Sequence, residues 1–328
     1  MPKVTVVIPT YNEAKLIERK LENVYEQDYP RDRLEVIVVD SASTDGTPEL
    51  VRRWAEEHPD LNLRLIEEPE RRGLVPALNY VLQHCGISGE IVIFTDADAF
   101  WEADALRNVV KYFADSSVGA VTASIVPVSV AKDFLEEAYR SYYNLLRVAE
   151  SKIFGTPVHN GALVAFRTSL LYEMGGLPVY TGNNDSTPAS IMAFMGYRAV
   201  QIDDVVVREP VREGQFRRKV RRAQHLILHF LKTKRYSKRL GLYKFVRPFE
   251  RIWRVEWWLH IINPWLLVAS LVIFVVSAFH GSVLALVLLG IGLALLMLKP
   301  YRTWMLQQIY LVIAMVRNLW TKEIVWSS

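Results

Sequence analysis

Two carboxylates, two residues apart, close the run Ile91-Val92-Ile93-Phe94-Thr95-Asp96-Ala97-Asp98. A strand alternates its faces, so Asp96 and Asp98 point the same way for as long as the strand continues. Crowded carboxylates repel each other unless a cation lies between them. Their hard oxygens suit Mg²⁺ or Mn²⁺, and a divalent ion carrying a diphosphate is the natural occupant. The competing reading is a pair of helix-capping acids ahead of residues 103–114.

Four further groups can do chemistry. Asp40 ends a second apolar run and enters Ser41-Ala42-Ser43-Thr44-Asp45. Its carboxylate can accept from a base edge or a ribose hydroxyl, although Ser43, Thr44 and Asp45 equally favour turns and caps. Arg71-Arg72-Gly73 precedes a helix containing Asn79, and offers either partners for a diphosphate or a solvated charge run. His159-Asn160-Gly161 opens a short strand, as a ligand or as a plain turn. Asp185 closes the polar loop Tyr180-Thr181-Gly182-Asn183-Asn184 and opens a helix. It is either an N-cap or, with the loop facing the metal rim, a general base.

These groups need a scaffold, and the sequence predicts one. Short β-branched runs at 4–9, 34–40, 63–67 and 91–95 alternate with helical patterns at 13–27, 47–57, 74–83 and 103–114. That alternation predicts an α/β fold, an open and mostly parallel sheet with helices on both faces. Ligands in such sheets sit at the carboxyl ends of the strands, which places residues 9–13, 40–45 and 96–98 on one rim. Further on, the pattern predicts strands at 119–127, 163–166, 199–202 and 205–207, and helices at 133–150, 169–174 and 185–195.

The net charge of +4 conceals an asymmetry. Residues 1–213 hold 21 Lys/Arg against 32 Asp/Glu, and residues 214–254 hold 14 against one, Glu250. An acidic domain followed by a basic collar argues against a nucleic-acid partner and for an anionic lipid surface. The run Gln215-Phe216-Arg217-Arg218-Lys219-Val220-Arg221-Arg222 is a lipid-facing charge run, a clamp for phosphates, or both. Residues 243–259 mix Phe245, Phe249, Trp253, Trp257 and Trp258 with arginines, as a helix lying in a membrane interface does. Residues 263–279 and 282–298 carry no charge and are just long enough to cross a bilayer. With His280-Gly281 as the turn they predict a multi-pass hairpin. Residues 304–316 are shorter and predict an interfacial or re-entrant segment, with a third span as the alternative. The positive-inside rule puts the collar, Lys299, Arg302 and the catalytic domain on the cytoplasmic side. No signal peptide is expected ahead of the first strand. The lone Cys85 allows no intrachain disulfide.

Taken together, the motifs resemble family 2 glycosyltransferases. The resemblance rests on Val6-Val7-Ile8-Pro9-Thr10-Tyr11-Asn12-Glu13, on Asp40 with Ser43-Thr44-Asp45-Gly46-Thr47, and on Asp96-Ala97-Asp98. It continues through 160–167, Gly175-Gly176-Leu177, Asn184-Asp185 and Met195-Gly196-Tyr197-Arg198-Ala199, and covers roughly residues 3–225. The resemblance implies a GT-A fold, a nucleotide-sugar donor, a divalent Mg or Mn ion and an inverting displacement. Carried over, Thr10, Glu13 and Asp40 hold the nucleoside, Asp96 and Asp98 the nucleotide and metal, and Asp185 deprotonates the acceptor. Pro9, Tyr11, Arg71, Gly73, Asn79 and Ala97 complete the donor set. Asn184, Gln215, Arg217 and Arg218 form an acceptor or phosphate clamp.

The sequence departs from the family pattern in three places. Asn184 stands where an acid often precedes the base, Leu74 where a Lys is common after the glycine, and Lys219 where processive members carry a Trp. The expected domains are a catalytic domain over 1–214, basic interfacial helices over 215–260 and membrane helices over 261–328. The expected activity is transfer of a sugar to a membrane acceptor, such as a lipid-linked saccharide. The alternatives are a polyprenyl-phosphate glycosyl synthase, a processive polysaccharide synthase and a catalytically silent membrane scaffold.

Overall fold

The computed structural model describes residues 1–321, apart from 129–133, Tyr180, Gly182 and 211–214. Its strands are β1 (Val4–Thr10), β2 (Leu34–Asp40), β3 (Asn62–Glu67), β4 (Ile91–Phe94), β5 (Phe100–Trp101), β6 (Val118–Val128), β7 (Val164–Arg167) and β8 (Arg198–Pro210). They form one sheet in the order β3-β2-β1-β4-β7-β6-β8-β5. The first four strands are parallel, with Thr10 paired to Asp40 and Asp40 to Glu67. This in-register pairing brings the ends of β1 and β2 to the same rim. Beyond β4 the sheet is mixed: β7 runs antiparallel to β4 and β6, and β5 antiparallel to β8, while β6 and β8 are parallel. The expected α/β sheet is present, and its parallel half is the half that alternates with helices in sequence.

Helices cover both faces. α1 (Ile17–Tyr25), α2 (Thr47–Glu57) and α4 (Ala105–Lys111) enclose one core with Ile8, Val36 and Ile93. α3 (Leu74–His84), α6 (Thr168–Glu173) and α7 (Ser186–Met195) enclose the other with Val7, Phe94 and Phe166. Between them in sequence lies α5 (Phe134–Ile153). The two strands expected at 199–202 and 205–207 are one strand, β8. Asp203 and Asp204 break the apolar pattern because they sit exposed at an irregular stretch, where Asp204 pairs with Lys111 and accepts from the Tyr112 hydroxyl. The two-residue strand β5 was not foreseen, being too short to leave a pattern.

The basic collar packs against the sheet and its helices. Phe230 of α8 (Gln215–Arg239) and Phe249 and Trp253 of α9 (Arg247–Trp257) belong to the same core as Val7 and Phe166. Of the aromatics expected in an interface, Phe249 and Trp253 are therefore buried in protein, whereas Phe245 and Trp258 are exposed. A buried ionic chain also crosses this junction. Arg147 of α5 pairs with Glu150 at 3.1 Å and with Glu256 of α9 at 3.0 Å.

α9 continues through a π-helical turn, Trp258–Ile262, into α10 (Asn263–Phe279). The combined helix, Arg247–Phe279, is the one helix among the described residues long and apolar enough to cross a membrane. α11 (Val283–Leu295) has 13 residues and meets α12 (Lys299–Arg317) at 105°. At 1.5 Å per residue α11 spans only about 20 Å, short of a ~30 Å hydrocarbon core. The structure thus supplies one candidate span, plus a bent pair that passes only when taken together. α12 packs on α8, with Leu311 and Ala314 against Val220, Ala223 and Ile227.

Candidate active site

Three strand ends build the rim. Asp40, almost fully buried, accepts from the Thr10 hydroxyl at 2.9 Å and from the backbone amide and hydroxyl of Ser43 at 2.8 and 2.5 Å. Asn12 locks the same two loops together: its amide donates to Ser43 Oγ, and its side-chain oxygen accepts from the Thr44 amide. Asn12 and Ala42 both adopt a left-handed backbone, with φ of 56° and 57°. That conformation costs a non-glycine residue about 1–2 kcal/mol and holds only where neighbours over-determine it. Asp40 is thus the organiser of this rim as well as a group facing it. A carboxylate has about four acceptor positions, so three hydrogen bonds leave room for one from a ligand. The Glu13 amide donates to Thr47 Oγ1 at 3.0 Å, and its carbonyl starts α1. Pro9 is half-buried where β1 ends. The Arg71 guanidinium lies over the Tyr11 ring at 3.7 Å, so these two residues from separate loops form one wall.

Asp96-Ala97-Asp98 follows β4 in a turn closed by the Ala99 amide on Asp96 O. Ala97 and Asp98 are buried and Asp96 is half-buried. The donor set here is all oxygen. Among the described residues no group of three or more His, Cys, Asp or Glu side chains gathers to hold a metal. Two carboxylates alone fit an ion such as Mg²⁺, which takes one or two carboxylates and completes its shell with substrate phosphates and water.

The segment His159–Gly161 joins the two halves of the site. The Thr95 hydroxyl donates to Ala162 O at 2.8 Å, which fixes the end of β4. The Asn160 side chain donates to Ala123 O of β6 at 2.6 Å. The His159 amide donates to Ser186 Oγ at 2.9 Å, which fixes the start of α7. Asp96 and Asp185 are therefore anchored to one turn. A methyl carbon placed on Gly161 would lie 3.7 Å from Asn184 Oδ1, 3.7 Å from Asp185 Oδ2 and 3.9 Å from Asp96 Oδ2. The sequence offered this segment as a ligand or a plain turn, and did not disclose that it joins the end of β4 to the start of α7. Its signal was a glycine between two polar residues and a strand.

Of the two roles the sequence allowed Asp185, the cap is present in the structure. Asp185 caps α7, with Oδ1 accepting from the Ser186 amide. Its Oδ2 is the atom near Gly161. Burial pushes its pKa up from 3.8 to about 6, against the pull of the Ser186 hydrogen bond and of Arg222. His159 is buried, and among the described residues neither of its ring nitrogens has a hydrogen-bond partner. Burial lowers its pKa to about 3, so it is neutral.

A cavity of about 240 Å³ opens beside this pair. Asp96, Asn160, Gly161, Asn184 and Asp185 line one side, and Arg140 and Tyr143 of α5 another. Lys219, Arg221, Arg222 and His225 of α8 form a basic wall, with Gln307 and Leu311 of α12 also present. Leu74, at the start of α3, reaches the same space.

The Asn79 side chain is committed to the backbone of Leu177. Its amide donates to Leu177 O at 2.8 Å and accepts from the Leu177 amide at 2.7 Å, bracing the Gly175-Gly176 turn. Gly176 must be glycine here, because a Cβ would lie 2.7 Å from Asn79 Oδ1 and φ is +95°. The neighbouring Gly73 is buried at the N-terminus of α3 with φ of 105°. The cavity meets α8 beyond the arginines expected to form a clamp. Arg217 is exposed, and neither Arg217 nor Arg218 lines the cavity; Lys219, Arg221 and Arg222 do. Arg217 and Arg221 share one face of the helix, so the cavity is met one turn further along α8, where Val220, Ala223 and Ile227 pack on α12. The Gln215 side chain, Tyr180 and Gly182 lie outside the described residues.

Comparison with known proteins identifies the family. The sequence model of glycosyl transferase family 2 matches residues 5–175, and that of glycosyl transferase family group 2 matches residues 91–299. The structure of mannosyltransferase PcManGT from Pyrobaculum calidifontis, in complex with GDP-Man and Mn²⁺, superposes with a TM-score of 0.85. That alignment has 51% identity and covers 98% of this chain and 88% of that one. Glycosyltransferase AglE of Haloferax volcanii is 32% identical over 145 residues, 44% of this chain and 46% of the relative. Beta-monoglucosyldiacylglycerol synthase of Synechocystis is 33% identical over 170 residues, 50% of this chain and 35% of the relative. These curated matches thus span less than half of the relatives' own length. With two family models each covering more than half of its length, this chain belongs to glycosyl transferase family 2.

Proposed function

We propose that this chain is a membrane-associated, metal-dependent, inverting glycosyltransferase that moves a sugar from a nucleotide donor to a lipid or lipid-linked acceptor. The observation that carries the reading is the convergence of Asp96, Asn184 and Asp185 oxygens on the space beside Gly161. Asp96 and Asp98 would hold the divalent ion, Mg or Mn. When bound, that ion neutralises charge developing on the leaving diphosphate. Thr10, Tyr11, Asp40 and Arg71 form the nucleoside and diphosphate side. The acceptor enters from the basic cavity, and Asp185 Oδ2 takes its hydroxyl proton. The acceptor oxygen forms its bond to the anomeric carbon as the bond from that carbon to the diphosphate oxygen breaks. The leaving diphosphate keeps that electron pair. An elevated pKa suits the base, because a carboxylate poised nearer neutrality is a stronger proton acceptor.

Membrane association is supported by side chains that no protein covers. Leu271, Val272, Ile273 and Phe279 of α10 and Leu284, Leu286 and Leu293 of α11 are exposed. A contiguous apolar surface of this kind marks a partner or a bilayer. The basic α8 beside it fits an anionic leaflet facing the cytoplasm. The multi-pass hairpin remains part of this proposal, with α10 as the spanning arm.

The cavity wall favours a second reading of the acceptor. Arg140, Lys219, Arg221 and Arg222 suit a lipid phosphate, whose oxygen attacks without a base. The test is a donor panel, led by GDP-mannose because PcManGT was solved with it, against membrane lipid extract and a polyprenyl phosphate. Asp98→Ala should abolish transfer in both cases. Asp185→Ala should stop transfer to hydroxyl acceptors, and retained transfer to polyprenyl phosphate would establish the second reading. Normal transfer to a hydroxyl acceptor by Asp185→Ala would overturn the base assignment.

A further inference from the structure

Lys20 is a lysine with no exposed surface, on the buried face of α1 with Ile17, Leu21 and Val24. An amphipathic helix ordinarily places an apolar residue there. The side chain reaches the residue that follows the acid motif. Its ammonium donates to Ala99 O, directly after Asp98, and lies 3.9 Å from the Trp101 ring centroid. One turn along, Asn23 holds the same segment with a neutral amide. Its Nδ2 donates to Trp101 O at 2.8 Å, and its Oδ1 accepts from the Trp101 amide at 2.9 Å.

The contrast between these neighbours is informative. A neutral amide suffices to fasten Trp101, so fastening Ala99 does not require a charge. A buried ammonium is costly unless opposite charge compensates it. Here the ammonium is bonded to the residue directly after Asp98, and the charges that favour its protonated form against burial are those of Asp96 and Asp98.

We propose that Lys20 is a resident counter-charge and positioning residue that keeps the acid pair from binding a divalent ion firmly until a diphosphate supplies the missing negative charge. This inference rests on the proposed role of Asp96 and Asp98 as metal ligands. A dication entering the empty motif meets two carboxylates and one like charge. With a nucleoside diphosphate present, the added anion outweighs the lysine. Lys20 thereby couples metal affinity to donor occupancy, so that the ion arrives and leaves with the nucleotide.

The experiment is calorimetric titration of the full-length, detergent-solubilised chain with Mn²⁺, with and without GDP, for the parent, Lys20→Gln, Lys20→Met and Asp98→Ala. Lys20→Gln keeps a donor for Ala99 O and removes the charge; Lys20→Met removes both. Both should bind Mn²⁺ about tenfold more tightly than the parent without GDP, a coupling of ordinary size, and show a smaller gain when GDP is added. Unchanged or weaker donor-free binding in a folded Lys20→Gln variant overturns the proposal and makes Lys20 a strut. Unfolding of both neutral variants overturns it likewise, by assigning Lys20 to the fold. Mn²⁺ binding that survives Asp98→Ala overturns the metal reading and this inference with it. Binding that requires Asp98 but ignores Lys20 overturns this inference alone.

Discussion

Asp96 and Asp185 face each other across Gly161, the one at the end of β4 and the other at the start of α7. A methyl carbon on that glycine would sit 3.9 Å from Asp96 Oδ2 and 3.7 Å from Asp185 Oδ2. Both are ordinary van der Waals distances, so Gly161→Ala should fold. The added methyl nevertheless occupies the space where the proposed reaction takes place. Since a misplacement of about 1 Å can cost about 100-fold in rate, transfer by Gly161→Ala should fall on that order. Thermal unfolding should move by only a few degrees. Steady-state kinetics alongside a melting curve would check this, and full activity in Gly161→Ala would remove the reacting centre from this spot.

The raised pKa of Asp185 makes two linked statements. As a base it must be ionised, so transfer to a hydroxyl acceptor should fall about tenfold per pH unit below about 6 and level off above it. The stability effect has the opposite sense. A carboxyl whose folded pKa exceeds its unfolded value of 3.8 binds its proton more tightly in the folded state. Its contribution to stability is fully present below 3.8 and is lost as pH rises through about 6. Asp185→Asn has no proton to lose. It should therefore be more stable than the parent at pH 7.5 by about 1–2 kcal/mol, allowing for partial exposure, with the gap closing near pH 4. Denaturant melts at the two pH values would show it. An Asp185→Asn variant less stable than the parent at pH 7.5 would mean that the cap outweighs burial.

Asn79 offers a test that separates bracing from donor contact. Both polar ends of its amide meet the Leu177 backbone. Asn79→Ala leaves that backbone pair short of partners, at a cost of about 1–3 kcal/mol. The donor KM should stay within about twofold of the parent, since truncation away from the ligand removes no binding energy. A tenfold rise in donor KM with unchanged stability would return Asn79 to the donor site.

What the sequence discloses here follows a physical division. The parallel half of the sheet was legible because strands buried on both faces are continuous apolar runs, such as 34–40 and 91–94. The rim acids were legible because they interrupt such runs. The place along α8 where the cavity opens was not legible. Arg217 and Arg221 lie one turn apart on the same face, so the helical pattern does not choose between them, and the choice falls to the contacts of Val220 and Ala223 with α12. Those contacts join segments far apart in the chain, and no local pattern encodes them. Lys20 was hidden for a different reason: a lysine is read as solvated unless its helical phase is checked. Its spacing of three from Ile17 and four from Val24 was the available signal.

That placement along α8 yields the last prediction. Arg221 and Arg222 line the cavity beside Asp185, while Arg217 is exposed one turn earlier on the same helix, outside the cavity lining. All three contribute equally to a diffuse attraction toward an anionic leaflet, which falls off over about 8–10 Å at physiological salt. Only the first two can contact an acceptor headgroup in the cavity. Charge-assisted hydrogen bonds to phosphate are worth about 1.5–3 kcal/mol each. Arg221→Gln and Arg222→Gln should therefore each raise the acceptor KM roughly tenfold or more, with little dependence on salt. Arg217→Gln should leave the acceptor KM nearly unchanged in detergent and weaken only vesicle binding, in a salt-dependent way. Kinetics in detergent, together with flotation on vesicles containing anionic lipid, separate the two roles. Equal kinetic losses for Arg217 and Arg222 in detergent would mean that the cations act as a field and not as a site.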